Sequence, residues 1–383
     1  MAGRTGLITR IGRAVGGRVV QRIGGPSPRR VFYNSFNGQF SDNPRAIYEE
    51  LVRRGAALEH AWIADNPAFP AQVATVAPYS LGYLREAGRA GYVVSNRQMP
   101  NNFRKRPGAR YLQTWHGTPL KRIGFDNDRW KENPRGLDHM ARDFAKWDYL
   151  VSQNPFSTEI FRRAFRFDGE ILETGYPRND ILNSPDAAVT RARVRAELGI
   201  DDGVRAVLYA PTWRDNAVDD GGALRFSLAL DAERLQATLG RDHRLLLRLH
   251  YLLAGTPVGD GANCVRNVSD HPDIRDLYLA ADVLITDYSS AMFDFAVTGK
   301  PIVLFAYDLD EYRDGVRGFY FDLEEEAPGP LCRTSDAVID ALRDLDAAHV
   351  AHAERYVRFR ERFCPFDDGA AAARVVERVM GGS

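Results

Sequence analysis

Twice along its length this chain alternates short apolar runs with amphipathic stretches, and that alternation limits the fold more than any other feature. Residues 31–36 are apolar and β-prone, and 43–54 are amphipathic, opening on Asn43-Pro44 as helix cap and first turn. Short strands are predicted at 61–64, 72–77, 92–95, 111–115 and 149–152, with helices at 80–90 and 155–166 among them. Such an order implies a parallel sheet covered by helices. A polar stretch with Pro185 and Asp186, a short helix to Leu198, and then Gly199 to Gly203 mark a junction at 183–203. The series restarts with a buried-type strand at 205–210, a helix at 231–239 and a strand at 244–249. Strands at 265–268, 283–286 and 301–305 follow, separated by helices at 273–280 and 291–297, and helices at 335–345, 348–363 and 369–380 close the chain. The expected fold class is α/β: two doubly wound domains, 31–190 and 200–383, with a cleft between them and terminal helices that fold back across the junction.

A length of 383 residues fits two cores better than one. Lys+Arg and Asp+Glu stand at 51 each, so no net positive field is available to hold a polyanion, and nucleic acid is not an expected partner. The three cysteines, Cys264, Cys332 and Cys364, are too widely spaced for a disulfide framework or a paired zinc site, which points to a reducing cytosol. No stretch approaches the roughly 18 to 20 apolar residues of a spanning helix. Residues 1–30 nevertheless carry Leu7, Ile8, Ile11, Val15, Val19 and Ile23 at helical spacing among Arg4, Arg10, Arg13, Arg18 and Arg22. This basic amphipathic leader is expected to touch an anionic membrane surface, placing the protein in the cytoplasm and peripherally at the inner face of the cell membrane.

Polar groups gather where strands end. The segment Tyr111-Leu-Gln-Thr-Trp-His-Gly-Thr-Pro-Leu-Lys121 places His116 at the carboxyl end of a strand, where an imidazole can serve as general base, with Lys121 a little further on. In Leu247-Arg-Leu-His-Tyr251 a strand would turn Arg248 and His250 to one face, able to clamp a phosphate. A third strand runs into Asp287, and Ser289 and Ser290 fall at the start of the next helix, a place suited to a phosphate or diphosphate. Thr212 and Arg214 follow the first strand of the second half, Arg178 and Asn179 lie in Gly175-Tyr-Pro-Arg-Asn-Asp180, and Arg317 precedes Gly-Phe-Tyr-Phe-Asp322. Phosphate-binding glycine loops, a nucleophile elbow and the zinc-protease motif are all missing from the sequence. The Asp308-Leu-Asp310 pair has a weak case as a metal site, and neither metal nor cofactor is expected.

Together these segments resemble the CDP-glycerol glycerophosphotransferase family, which builds teichoic acids and related capsular polymers. The similarity is carried by Trp115-His-Gly-Thr-Pro-Leu-Lys121, Gly175-Tyr-Pro-Arg-Asn-Asp180, Ala210-Pro-Thr-Trp-Arg214, Thr286-Asp-Tyr-Ser-Ser290, Lys300-Pro-Ile302 and Arg317-Gly-Phe-Tyr-Phe-Asp322. The resemblance implies a GT-B-like pair of Rossmann-type domains, with the acceptor on the first and a CDP-activated donor on the second. It implies His116 as catalytic base and His250 as a contact to the donor phosphates; Tyr251 stands where the family usually has proline. Lys121, Arg178, Asn179, Thr212, Arg214, Arg248, Asp287, Ser289, Ser290 and Arg317 are the expected substrate-binding residues. The implied reaction moves glycerol phosphate, or a related polyol phosphate, from CDP-glycerol or CDP-ribitol to a hydroxyl of a lipid-linked or saccharide acceptor, releasing CMP. The competing readings are a GT-B glycosyltransferase that uses a nucleotide sugar and a non-catalytic polymer-binding protein.

Overall fold

The computed structural model describes residues 25–36, 38–64, 69–100, 102–128, 130, 133–212, 228–249 and 265–381, without the side chains of Asp314, Val316 and Arg317. Two parallel sheets organise it. The first contains β1 (Ser27–Asn34), β2 (Glu59–Ile63), β3 (Thr75–Val76), β4 (Ala90–Ser95), β5 (Arg110–Gln113), β6 (Tyr149–Ser152) and β7 (Glu170–Glu173) in the order β3-β2-β1-β4-β5-β6-β7. The second contains β8 (Arg205–Ala210), β9 (His243–Leu247), β10 (Val265–Asn267), β11 (Val283–Thr286), β12 (Ile302–Phe305) and β13 (Leu331–Cys332) in the order β10-β9-β8-β11-β12-β13. Every pairing within both sheets is parallel.

Burial explains why these runs are continuous in apolar character rather than alternating. Helices cover both faces of a parallel sheet, so Val283–Thr286 and Ile302–Phe305 are buried at every position. The Asp42–Arg53 helix lays Ala46, Ile47 and Leu51 onto the first sheet, and the Pro155–Ala164 helix opens with Asn154 accepting the Ser157 N–H and proline in its first turn. In each sheet the strand order reverses once, between β1 and β4 and between β8 and β11. Connections leave such a point toward opposite faces and open a crevice at the carboxyl ends of the strands. His116, Thr212, Asp287, Ser289 and Ser290 fall in loops beyond the carboxyl ends of strands.

The halves interlock. The last helix, Ala371–Met380, crosses back and buries Val375, Val376 and Val379 in the core of the first sheet, packing on the Asp42–Arg53 helix. Asp180 accepts from the N–H groups of Ala371 and Ala372 at 2.9 and 2.8 Å and so caps that helix from the first half. Several expectations are corrected. The Ala187–Glu197 helix inside the predicted junction packs against the second-half Ile274–Ala280 helix. The first strand begins at Ser27, inside the predicted leader, whose residues 1–24 lie outside the described chain. The predicted 348–363 helix is two helices, Leu345–Ala351 and Ala353–Phe363, that meet at His352. Among the elements that had not been anticipated are β7, β13, the Pro134–Phe144 helix and a 3₁₀ segment, Pro177–Asn183.

Candidate active site

His116 follows β5 on the first-half crevice, and its imidazole is held from several sides. Its Nδ1 lies 2.7 Å from the carbonyl oxygen of Asn96, just past the end of β4. A carbonyl only accepts, so Nδ1 carries the proton and Nε2 keeps the lone pair. Trp115 stacks on the imidazole at 4.4 Å between centroids, and Phe36, beyond β1, meets it edge-on at 5.7 Å. Burial pushes the imidazole pKa down to about 4; the Asn96 hydrogen bond and the Asp42 carboxylate pull it up, while Arg97 and Arg178 add to the depression. The ring is therefore neutral, with Nε2 able to take a proton, across the near-neutral range.

The backbone around the imidazole is strained. Phe36, Asp42 and Trp115 hold φ of 43°, 62° and 52°, a region that non-glycine residues rarely adopt and that collects at functional sites. Their hydrogen bonds show what holds them. The N–H of Phe36 donates to Asn96 Oδ1 at 3.0 Å, and that of Trp115 to Gln113 Oε1 at 2.9 Å. Gly117 comes next, with φ 154°; a Cβ there would lie 2.5 Å from the Ser290 hydroxyl oxygen. The residue after His116 thus packs against Ser290 of the second half, in a contact that only glycine permits.

On the second-half crevice, Asp287 follows β11 and accepts from the N–H groups of Thr212, beyond β8, at 2.8 Å and of Tyr288 at 2.6 Å. These bonds give Asp287 the work of joining the two loops at the switch point. Ser289 and Ser290 are half-buried; Ser289 accepts from the Ala291 N–H at 3.2 Å, and Ser290 makes no side-chain cap hydrogen bond. The helix they open, Ala291–Ala296, has six residues, too few for a large macrodipole. Arg248 lies beyond the end of β9, so strand alternation does not set its direction. Its Nη1 donates to the carbonyls of Val268 and His271, which fastens the loop after β10. His250, Tyr251 and Arg214 lie outside the described residues, as does the Arg317 side chain.

The remaining candidates bind the halves together. Arg178 is buried, its Nη1 2.7 Å from Asp42 and its Nη2 2.8 Å from Asp294. Burial works against the guanidinium charge, but Asp294 and Asp42 outweigh it and hold the pKa above its usual value. Asn179 donates to Asp294 at 3.1 Å and to Asp367 at 3.0 Å. Lys121 pairs through its backbone with Phe319, Arg122 donates to the Gly318 carbonyl at 3.1 Å, and Tyr320 donates back to that of Leu120 at 2.8 Å. The segments around Lys121 and around Phe319 therefore zip together, and Tyr320 OH reaches Asp126 at 2.9 Å. Arg45 adds a further bridge to Asp273 at 2.8 Å.

Asp308 accepts from Tyr288 OH at 2.9 Å, whereas Asp310 faces Arg313 and Arg333, so the two carboxylates do not act as a pair. Among the described residues no group of three or more His, Cys, Asp or Glu side chains is placed to hold a metal ion, and no helix is long and apolar enough to cross a membrane. Asp42, Asn43, Asn96 and Asp294 had not been singled out as site residues. Asn43 had been read as a helix cap, yet Ser41 takes that position and Asn43 turns inward. Asp294 did leave a signal: a carboxylate between Phe293 and Phe295 in a buried helix requires a partner.

Two doubly wound sheets, with loops beyond their strand ends in contact at Gly117 and Ser290, define a GT-B-like protein. Comparison with known proteins narrows this class. Residues 20–381 match the family described as CDP-Glycerol:Poly(glycerophosphate) glycerophosphotransferase, and the chain belongs to that family. It is 39% identical to the teichoic acid glycerol-phosphate transferase of Staphylococcus aureus, over 93% of this chain and 94% of the relative. It is 38% identical to the teichoic acid poly(glycerol phosphate) polymerase of Bacillus spizizenii, over 95% of each, and equally to that of Bacillus subtilis, of which it spans only 48%. A solved structure of the wall teichoic acid polymerase TagF superposes with a TM-score of 0.89 at 34% identity, covering 97% of this chain and 94% of that one. A UDP-GlcNAc 2-epimerase from Neisseria meningitidis, at 12% identity and a TM-score of 0.55 over 92% of this chain and 99% of that one, shares the fold.

Proposed function

We propose that the protein transfers glycerol phosphate from CDP-glycerol to a hydroxyl of a glycerol phosphate acceptor, in teichoic acid synthesis, with His116 as base. The observation that supports this reading is the contact of Gly117 with Ser290, which joins the segment of a neutral imidazole with a determined tautomer to the segment of the serine pair. Family membership supplies the donor class. A TagF structure was obtained from a histidine-to-asparagine variant soaked with CDPG, which agrees with a CDP-linked donor.

In this mechanism His116 Nε2 removes the proton of the acceptor hydroxyl as its oxygen attacks the distal phosphorus of the donor. The bond from that phosphorus to the bridging oxygen breaks, and CMP leaves with the electron pair. Ser289 and Ser290 donate to the charge that grows on the phosphate oxygens of the leaving CMP. Thr212 follows the strand that leads to the donor side, whereas Arg248, Arg178, Asn179, Lys121 and Asp287 hold the geometry. The test is CMP release with CDP-glycerol, CDP-ribitol and several UDP-sugars, with and without a lipid-linked glycerol phosphate acceptor. Acceptor-dependent release from CDP-glycerol supports the reading; release of UDP from a sugar donor alone would replace it with glycosyl transfer.

Replacing Ser289 and Ser290 together by alanine removes two hydroxyl donors, each worth about 1.5–3 kcal/mol against a charged acceptor. Calorimetry should show CDP-glycerol binding weakened by about 10²–10⁴-fold and cytidine binding nearly unchanged. Equal losses for both ligands would place the serines away from the diphosphate.

The depressed imidazole pKa has a pH consequence. kcat/KM should fall less than about two-fold from about pH 7.5 to 5.5, since the base stays neutral, whereas an imidazole at the usual value of about 6.5 would lose about ten-fold. A ten-fold loss by pH 5.5 with the protein still folded would refute the assignment. Stability has the same sign: below the unfolded pKa of about 6.5 the unfolded imidazole binds a proton that the folded one does not. His116 therefore lowers stability as pH falls toward about 4.

A further inference from the structure

We infer that Asn43 is the positioning residue that fixes the pose of His116 and ties it to the serine side of the cleft, an inference that rests on His116 being the base. The side chain is completely buried. Its amide nitrogen donates to the carbonyls of Thr114 and Trp115 at 3.3 and 3.2 Å, and its Oδ1 accepts from the Arg178 N–H at 3.0 Å. Both donor and acceptor capacity is therefore directed at two of the motif-bearing segments.

The two carbonyls belong to the residues just ahead of His116. Trp115 sits at φ 52°, a conformation costing on the order of 1–3 kcal/mol that persists only where its surroundings over-determine it. Asn43 supplies that determination at the peptide entering His116, and so aims the ring at the Asn96 carbonyl. Its neighbour Asp42 holds Arg178 by the side chain while Asn43 holds the same residue by its backbone. Arg178 in turn grips Asp294, which lies in the helix that Ser290 opens. One connected path thus runs from the base, through Asn43 and Arg178, to the serines. In-line transfer depends on that distance, and a misplacement of about 1 Å can cost about 100-fold in rate.

Asn43→Asp in the full chain tests this, because it keeps the acceptor for Arg178 but turns the amide donors into acceptors that face two carbonyls. The expected result is a fall of about 100-fold in kcat for CMP release from CDP-glycerol with a glycerol phosphate acceptor. Donor Kd by calorimetry should stay within about three-fold of the parent. In spectra of ¹⁵N-histidine-labelled protein the His116 resonance, identified by its loss in His116→Gln, should no longer report a single Nδ1–H tautomer. Turnover within about three-fold of the parent, a donor Kd that weakens in step with kcat, or an unchanged tautomer signature would each overturn the inference. Should Asn43→Asp not yield folded protein, Asn43→Ser carries the same comparison. The spectra need neither donor nor acceptor, so they decide the role of Asn43 even if the parent enzyme proves inactive on CDP-glycerol, a failure that would count against the proposed donor instead.

Discussion

His116→Ala is expected to lower kcat for glycerol phosphate transfer by about 10²–10⁴-fold, the usual contribution of a general base. Donor affinity should change little, because in the proposed mechanism the imidazole acts on the acceptor proton and the diphosphate is left to Ser289 and Ser290. The Nδ1–H bond to Asn96, the Trp115 stack and the Phe36 edge all orient a ring that does nothing for the folding core comparable to this loss. Single-turnover CMP release beside calorimetric donor binding separates the two effects. Turnover within a few-fold of the parent would remove His116 from the mechanism.

Arg178→Ala carries the largest expected cost in stability. The change leaves Asp42 and Asp294 buried beside each other with no guanidinium between them, and breaking a buried pair of this kind costs about 3–5 kcal/mol. For domains of this size that is on the order of 10 °C in Tm. Arg178→Lys should recover little, since one ammonium cannot present the two N–H arms that reach separate carboxylates. A thermal melt within about 1 °C of the parent for Arg178→Ala would show that the network contributes no more than an exposed ion pair. The expected loss also explains why Arg178 is better understood as a tie between halves than as a contact to the donor.

The elements that position the site were readable because they are the most buried. A strand covered on both faces is an unbroken apolar run, so β8 and β11 were predicted at their observed limits, and each leads into polar residues at a switch point. Two of the four edge strands were not readable. β7 is Glu-Ile-Leu-Glu and β13 only Leu331-Cys332, pieces too short and too polar to mark themselves without the strand they pair with. The Pro134–Phe144 helix did carry a signal in Asn133-Pro134, a cap followed by a first-turn proline. In the site, His116, Ser289 and Ser290 stood out because they occur in compact motifs. Asn43 and Asp42 did not, since their meaning depends on Thr114, Trp115 and Arg178, whose approach belongs to tertiary structure. The same reason turned Arg178 and Asn179, plausible donor ligands by composition, into partners of Asp294 and Asp367.

Phosphorus NMR of the complete reaction tests the central claim most directly. With CDP-glycerol and a glycerol phosphate-primed acceptor, the parent enzyme should convert the diphosphate signals into CMP and a new phosphodiester in equal amounts, and His116→Ala should produce neither at a comparable rate. CMP without a phosphodiester, or a diphosphate signal left unchanged beside a consumed nucleotide sugar, would contradict glycerol phosphate transfer by this protein.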